Sequence, residues 1–148
     1  MSQEENKNVI VFQGLPGAYS HLACKHAMPD MEPVACRTFR DAFAAVKDGD
    51  ARLAMIPIEN SVAGRVADIH HLLPDSGLQI IGEHYERVSH HLLAVKGTDI
   101  GDVTHVHSHV HALPQCQNLI HELGIEAVVH VDTAGAAAEI AEKGDKTQ

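Results

Sequence analysis

The sequence predicts an α/β protein whose chain is divided between two lobes. Short apolar runs alternate with amphipathic stretches, which is typical of parallel α/β architecture. From Leu78 the pattern of apolar and polar residues changes. Two apolar runs bracket a polar stretch, which indicates a long connection or paired strands that cross into a second lobe. Hydrophobic residues make up 45% of the 148 residues but aromatic residues only 3%, so we expect an aliphatic core.

Before Leu78 the pattern predicts three strands, each followed by a helix. The first strand ends at a Gly-Leu-Pro-Gly turn, and Thr38 is a good N-cap for the second helix, which Gly49 closes. The third helix ends before Pro74. The expected strands are 8–12, 33–37 and 52–58, and the expected helices are 18–28, the segment between Thr38 and Gly49, and 66–73.

After Leu78 the two apolar runs are 78–82 and 91–95, followed by two further strand–helix pairs. Gly124 stops the first of these helices, and the second helix is rich in alanine. The expected pairs are strand 103–107 with helix 112–123, and strand 126–131 with helix 133–143. Asp145 or Thr147 has the character of a cap that opens another helix, so we expect a chain truncated at its C-terminus.

Charge and cysteine usage exclude several classes of partner. A formal net charge of −9 argues against nucleic acid and against an anionic membrane. No apolar signal region follows the N-terminus, and no window approaches the ~18–20 apolar residues of a membrane span. Three scattered cysteines without a Cys-x-x-Cys pair fit reduced thiols. We therefore expect a cytoplasmic protein.

Four turns place a small or polar segment between a strand and the following element. Free N–H groups and the helix dipole make the start of a helix favourable for carboxylates and phosphates. One such turn is weak grounds for a site, because most bind nothing, but two or more that converge could hold a dianionic small molecule. The turns are 14–20, 59–64, 108–112 and 132–135.

The turn after the third strand carries the strongest local signal for function. The apolar run 53–58 is followed at once by Glu59, Asn60 and Ser61, and then by the small residues Ala63 and Gly64. Three polar side chains after a buried strand are what an open α/β sheet uses to hold a small polar ligand. An ordinary Asn/Ser turn has the same appearance, so the residues alone leave both interpretations open.

Known cofactor and nucleophile motifs are missing from the sequence. The first turn lacks Gly-x-Gly-x-x-Gly and Gly-Lys-Ser/Thr, so no nucleotide cofactor is expected. No Gly-x-Ser-x-Gly elbow occurs, and Cys116 has apolar neighbours that indicate a packing role. Arg65 could reach a carboxylate or simply be solvated.

Thirteen histidines raise the question of a metal. His105, His107, His109 and His111 alternate and would share one face of a strand, but we expect the alternation to break near Ser108. No His-Glu-x-x-His motif occurs. A metal is therefore the less favoured interpretation, and His109 is favoured as a hydrogen-bond donor to a ligand.

Four blocks of the sequence resemble the prephenate dehydratases and follow the order of that family. Ala18-Tyr19 stands where the family often has Thr-Phe, and Val110-His111 stands where it has Pro-Gln. The blocks are Gly14-x-x-Gly17-Ala18-Tyr19-Ser20, Pro57-Ile58-Glu59-Asn60-Ser61-x-Ala63-Gly64, Ser108-His109-Val110-His111-Ala112-Leu113-Pro114-Gln115-Cys116 and Asp132-Thr133-Ala134-Gly135-Ala136-Ala137.

The resemblance implies a two-lobed fold of the periplasmic-binding-protein type (type II), with the substrate in the cleft between the lobes. It implies an incomplete first lobe over 1–80 and a second lobe over 81–148. The family's Thr-Arg-Phe block, which carries the threonine assigned to catalysis, and its phenylalanine-binding ACT domain would lie beyond residue 148.

The resemblance also implies the reaction, which is the conversion of prephenate to phenylpyruvate, water and CO2 in phenylalanine biosynthesis, without a cofactor or a metal. The full-length protein is expected to be a homo-oligomer, either a dimer or a tetramer. The implied catalytic residues are Asn60, Ser61 and Glu59, with Glu59 either orienting its neighbours or acting as an acid. The implied substrate-binding residues are Ser20, Ala18, Tyr19, Gly64, Ser108, His109, Thr133 and Ala134.

Three alternatives to this reaction remain open. An arogenate dehydratase would perform the same chemistry on a substrate that carries an amine in place of the ketone. A module of the same fold could bind a small dicarboxylate without turnover. A hydrolase could use a metal held by the histidine strand.

Overall fold

Parallel strands joined through helices form both halves of the chain. The computed structural model describes residues 8–148. Its contacts divide the chain into two units, of which the first ends at Arg87 and the second runs Val88–Gln148. The boundary expected from the sequence, after residue 80, falls in the segment 77–94, which has neither helix nor strand.

The first unit is built on a parallel three-stranded sheet with the order β2-β1-β3. A two-residue antiparallel hairpin, β4–β5, follows β3. The elements are β1 Val9–Gln13, α1 Tyr19–Ala27, β2 Glu32–Cys36, α2 Phe39–Lys47, β3 Leu53–Met55, β4 Glu59–Asn60, β5 Gly64–Arg65 and α3 Ala67–Ser76.

The central strand β1 supplies side chains to both faces of this sheet. Alternate side chains of a strand point to opposite faces. Ile10 and Phe12 accordingly pack with Cys24 of α1, while Val11 packs with Ala42 of α2. Burial raises the pKa of the Cys24 thiol to about 11, so this cysteine is a packing residue. The aliphatic core predicted from the composition is confirmed apart from Phe12 and Phe43.

The start of α2 confirms the cap predicted at Thr38. The Thr38 hydroxyl accepts a hydrogen bond from the Asp41 N–H, and the Asp41 carboxylate accepts one from the Thr38 N–H, both at 3.1 Å. This reciprocal pair is a capping box, which satisfies two backbone donors that a helix start leaves without partners.

The second unit contains a parallel pair of strands in which Ser108 lies opposite Val129. Short 3-10 turns at Ile100–Asp102 and Leu113–Cys116 precede β6 and α4. Gly124 adopts φ +66° and closes α4, as predicted. The elements are β6 His105–His109, α4 Gln117–Leu123, β7 Glu126–His130 and α5 Thr133–Lys143.

One alternative that the sequence left open is decided, and two expectations about elements are wrong. The runs 78–82 and 91–95 belong to a long connection and are not paired strands, and Ile81 is 73% exposed. Strand β3 stops at Met55 because Pro57 has no N–H to donate to a neighbour. Helix α3 continues through Pro74 to Ser76 and ends at Gly77, whose φ is +73°.

The helices carry no sign of membrane insertion in the part of the chain that the structure describes. Within residues 8–148, no helix has both the length and the apolar character needed to cross a bilayer.

Candidate active site

The hairpin after β3 is organised by the Asn60 side chain. The Asn60 Oδ1 atom accepts hydrogen bonds from the Val62 N–H at 2.9 Å and from the Ala63 N–H at 2.8 Å. This is how Asn builds a turn, with its carboxamide oxygen in place of a backbone carbonyl. Gly64, at φ +83°, takes the left-handed conformation with which the chain returns as β5. The Asn60 carboxamide NH2 is therefore the group that could donate to a ligand.

Glu59 and Ser61 flank Asn60 and are both exposed. Glu59 pairs in register with Arg65 across the hairpin. Directly opposed residues of an antiparallel pair lie on the same face, so a carboxylate and a guanidinium face the same side. The hairpin thus presents an acid, an amide, a hydroxyl and a cation within a few residues, which is a set able to bind a carboxylate or protonate a leaving hydroxyl.

The start of α1 offers the first unit's second polar site. Ala18 is the N-cap residue and makes no side-chain cap hydrogen bond, and the first turn contains no acidic residue. The predicted ligand residues Tyr19 and Ser20 form this first turn, Tyr19 exposed and Ser20 half-buried. Because the first N–H groups of a helix carry positive partial charge, the start of α1 favours an anion.

A cavity of about 290 Å³ lies beside this helix start and is lined by one face of α1. The Gly17 N–H donates to the Nδ1 atom of His21 at 3.0 Å, so the neutral ring carries its proton on Nε2. The sequence reasoning missed His21 and Lys25, although the spacing 17, 18, 21, 22, 25 is the signal of one helix face. The lining residues are Gly17, Ala18, His21, Leu22 and Lys25.

In the second unit, a hydrogen bond joins the end of β6 to the start of α5. The Ser108 and Thr133 hydroxyls are 3.0 Å apart, and Ser108 is only 9% exposed. The structure therefore brings together two residues that the sequence assigned to the substrate. Their hydroxyls contact each other, so Ser108 positions the Thr133 hydroxyl at the helix start.

His109 ends β6 with a defined tautomer. Its Nδ1 atom accepts the His111 N–H at 3.2 Å, which leaves the proton of the neutral ring on Nε2 as a donor. The expected break of the alternation near Ser108 is confirmed to within one residue, because β6 ends at His109 and His111 lies in the following turn. His105, His107 and His109 consequently share one face of the strand.

The start of α5 is occupied by its own cap. The Asp132 Oδ1 atom accepts the Gly135 N–H at 2.6 Å. A Cβ on residue 135 would lie 2.9 Å from the Asp132 Oδ2 atom, which explains the glycine at this position. The carboxylate of Asp132 would repel an anion here, so Thr133 and the backbone of Ala134 are better placed for a neutral hydroxyl or carbonyl of a ligand.

A pair of titratable side chains, His130 and Glu139, lies next to this cap. His130 ends β7, and its Nε2 atom is 2.9 Å from the Oε2 atom of Glu139 on α5. The hydrogen bond with Glu139 raises the pKa of His130. Hydrogen bonds from Lys143 and then from His130 lower the pKa of Glu139 to about 2. His130 was not among the residues predicted for the site.

Comparison with known proteins now decides the family. The sequence matches the family model for prephenate dehydratase over residues 10–148. The chain belongs to the prephenate dehydratase family. The resemblance of the four sequence blocks is thereby confirmed, and with it the α/β fold of the type II periplasmic-binding class.

Relatives of this dehydratase family member differ in their named activities. A bifunctional N-acyl-homoserine lactone acylase/prephenate dehydratase from Komagataeibacter europaeus is 51% identical over 140 residues, covering 95% of this chain and 50% of the relative. Arogenate dehydratase/prephenate dehydratase 1 from Arabidopsis thaliana is 41% identical over 141 residues, covering 95% of this chain and 36% of the relative. The chain thus spans half or less of the length of these curated relatives.

Two solved structures share the fold. GqqA, described as a novel type of quorum quenching acylase, superposes with a TM-score of 0.85 at 51% identity, over 94% of this chain and 51% of that one. The prephenate dehydratase of Arthrobacter aurescens in complex with L-Phe superposes with a TM-score of 0.77 at 26% identity, over 89% of this chain and 45% of that one.

Proposed function

We propose that this chain binds prephenate and takes part in its conversion to phenylpyruvate. Membership of the prephenate dehydratase family supports the reaction class. The observation that carries the assignment to residues is the Asn60 turn, which uses the carboxamide oxygen for structure and leaves the NH2 and the Ser61 hydroxyl at the surface. The proposed catalytic residues are Asn60, Ser61 and Glu59.

The reaction demands little covalent chemistry from the protein. The bond between the ring and its carboxylate breaks to release CO2, and the electron pair of that bond enters the ring. The ring hydroxyl leaves and, with one proton, becomes water. Because the product ring is aromatic, the protein needs only to hold two carboxylates and to donate to the departing oxygen. No cofactor is required in this proposal.

Each proposed residue has a role that matches its position. Glu59 supplies the proton to the leaving hydroxyl, and the Asn60 NH2 and the Ser61 hydroxyl donate hydrogen bonds to the same oxygen or to a carboxylate. At the start of α1, backbone N–H groups near Ser20, together with Lys25, bind a carboxylate. Gly64 is required for the turn rather than for a contact of its own.

The second unit contributes hydrogen-bond donors of fixed orientation. His109 donates through Nε2, because its Nδ1 atom is engaged by the His111 N–H. Thr133 donates or accepts at a position set by its contact with Ser108. Preorganised donors of this kind need no reorientation when charge develops on the substrate.

The test is an assay of phenylpyruvate formation from prephenate against the spontaneous rate, run in parallel with arogenate. Catalysis above background that is lost in Asn60→Ala and Ser61→Ala, and retained in the matched control Asn118→Ala on α4, supports the proposal. Saturable prephenate binding without turnover would favour the non-catalytic dicarboxylate-binding module. Absence of both prephenate binding and prephenate turnover would overturn the proposal.

Preference between the two substrates has its own readout in the same assay. A higher kcat/KM for arogenate would assign the chain to the arogenate reaction, as named for the Arabidopsis relative. Both reactions release water and CO2, so the control variants apply to either substrate.

A second candidate activity is amide hydrolysis of an N-acyl-homoserine lactone. The 51% identity to a relative named for both activities favours it. Water would add across the amide bond to release a fatty acid and the amine of homoserine lactone. Detection of that free amine from an acylated lactone, absent from a heat-treated control, would support this activity, and its absence would remove it.

Location and assembly form the last part of the proposal. The resemblance supports a homo-oligomer, which size-exclusion chromatography with light scattering tests. Cys24, Cys36 and Cys116 are all free thiols, which supports a reducing compartment such as the cytoplasm.

A further inference from the structure

Two histidines and a glutamate of the first unit meet at one point outside the candidate active site. The Nδ1 atom of His26 lies 2.8 Å from the Oε2 atom of Glu86, and the Nε2 atom of His84 lies 3.1 Å from the same oxygen. One atom from each of the three side chains falls within 4.8 Å of the other two. We call these three residues the His26 cluster.

The cluster joins two segments that are distant in sequence. His26 lies in the last turn of α1, whereas His84 and Glu86 lie in the irregular connection after α3. The spacing of two residues lets both side chains of an extended segment point to the same side. The Glu86 side chain is 18% exposed, less than its two partners, so the carboxylate lies at the centre of the cluster.

The charge state of the cluster suits a cation. The Glu86 carboxylate lies within hydrogen-bond distance of both imidazole rings and brings negative charge to the centre of the cluster. Both rings present one nitrogen to a single oxygen, and each of those nitrogens becomes a ligand when its proton moves to the other nitrogen or to solvent. The net charge of −9 favours cations over the whole molecule.

The distances are close to those of a coordination shell. Ligands about 2.1 Å from a tetrahedral zinc ion lie about 3.4 Å from one another. The two nitrogen–oxygen distances of 2.8 and 3.1 Å therefore need to lengthen by about 0.6 and 0.3 Å. His26, whose side chain is 53% exposed, has room to turn its ring.

We propose that His26, His84 and Glu86 bind a divalent transition metal, with Zn²⁺ the best fit and water as its fourth ligand. Two imidazoles and one carboxylate form a donor set that suits zinc and leaves a position open. The ion fastens the connection to the C-terminal end of α1, the helix whose first turn belongs to the candidate active site. The sequence reasoning instead placed the less favoured metal interpretation on the strand containing His105.

Calorimetric titration of the chelator-treated chain with zinc chloride near neutral pH tests the proposal. We expect one equivalent of zinc to bind and to raise the melting temperature. Loss of a residue that only hydrogen-bonds to a metal ligand costs about 10–100-fold in metal affinity. His84→Ala and Glu86→Gln each remove a ligand itself, so each should weaken zinc binding at least as much. The matched control His121→Ala, on exposed α4, should bind as the parent does.

Cobalt provides a second readout that separates this site from scattered binding by other histidines. Co²⁺ bound to two imidazoles and a carboxylate should give visible absorption bands that disappear in Glu86→Gln. Circular dichroism confirms that each variant is folded. His84→Ala and Glu86→Gln remove different ligands and so test the site independently of each other. Absence of zinc binding, or zinc affinity that is the same in the parent and in both folded variants, overturns the proposal.

Discussion

Substitution of Asn60 separates the turn-forming role of its side chain from a role in substrate binding. In Asn60→Ala the Val62 and Ala63 N–H groups lose their acceptor. A hydrogen bond contributes about 0.5–1.5 kcal/mol net, and water can replace the acceptor here because Val62 is 72% exposed. We therefore expect the free energy of unfolding to fall by about 1–2 kcal/mol for the two bonds together.

Asn60→Asp keeps the acceptor oxygen and removes the NH2 donor. A carboxylate accepts backbone N–H groups at least as well as a carboxamide, so we expect stability within about 0.5 kcal/mol of the parent. The new negative charge would face a dianionic substrate, and removal of one preorganised donor typically costs about 10²–10³-fold in turnover. The Asp variant should thus be folded and stable but deficient in prephenate binding and conversion.

Urea denaturation followed by circular dichroism measures the first effect, and calorimetric titration with prephenate measures the second. Asn118→Ala and Asn118→Asp on α4 control for generic effects of the same substitutions. If Asn60→Asp loses as much stability as Asn60→Ala, the turn does not depend on the carboxamide oxygen. If Asn60→Asp binds prephenate as the parent does, Asn60 does not touch the substrate.

Three further predictions concern the Ser108–Thr133 contact, the His130–Glu139 pair and the start of α1. Thr133→Val should cost about 1–3 kcal/mol, more than Ser108→Ala, because it leaves the buried Ser108 hydroxyl without a partner; equal losses in urea denaturation would contradict this. The hydrogen bond with Glu139 raises the pKa of His130 above 6.5, so its stabilisation is complete below pH 6.5 and is lost as the pH rises through the raised value. Melting curves should show this loss in the parent and not in His130→Gln. Ala18→Asp should stabilise α1 by about 0.5–2 kcal/mol while weakening prephenate binding in calorimetry; unchanged binding would place the anion elsewhere.

The strand–helix alternation and the caps could be predicted from the sequence because they depend on local chemistry. Thr38 was predicted as an N-cap from its residue type and Gly124 as a helix stop, whereas the reciprocal bond with Asp41 is seen only in the structure. The state of 78–82 and 91–95 could not be predicted, because an apolar run becomes a strand only where another backbone offers hydrogen bonds. Strand pairing is a tertiary property that periodicity does not report.

The polar residues of the candidate site could be predicted by type, but their hydrogen-bond partners could not. The family resemblance implied that Asn60, Ser108 and Thr133 act on the substrate. In the structure the Asn60 oxygen builds a turn, and the two hydroxyls contact each other. The same side chains that hydrogen-bond a ligand also satisfy nearby backbone groups, and sequence alone does not tell which partner a side chain has. His26, His84 and Glu86 were missed because they come together only through folding.

The helix starts differ in the side chains that cap or oppose them, and this difference supports the proposal that a carboxylate binds at α1. Thr38 and Asp132 cap α2 and α5, so a side chain already occupies the start of each of these helices. Asp68 lies in the first turn of α3, where its negative charge opposes an anion. Helix α4 continues from a 3-10 turn in which the Pro114 carbonyl accepts the N–H of Gln117, the first residue of α4. Helix α1 has no side-chain cap hydrogen bond at its N-cap residue and no acid in its first turn, and Lys25 lines the cavity beside it. Under the proposed function, a dianionic substrate in a chain of net charge −9 needs a local positive potential, and the first turn of α1 is the place we propose for it.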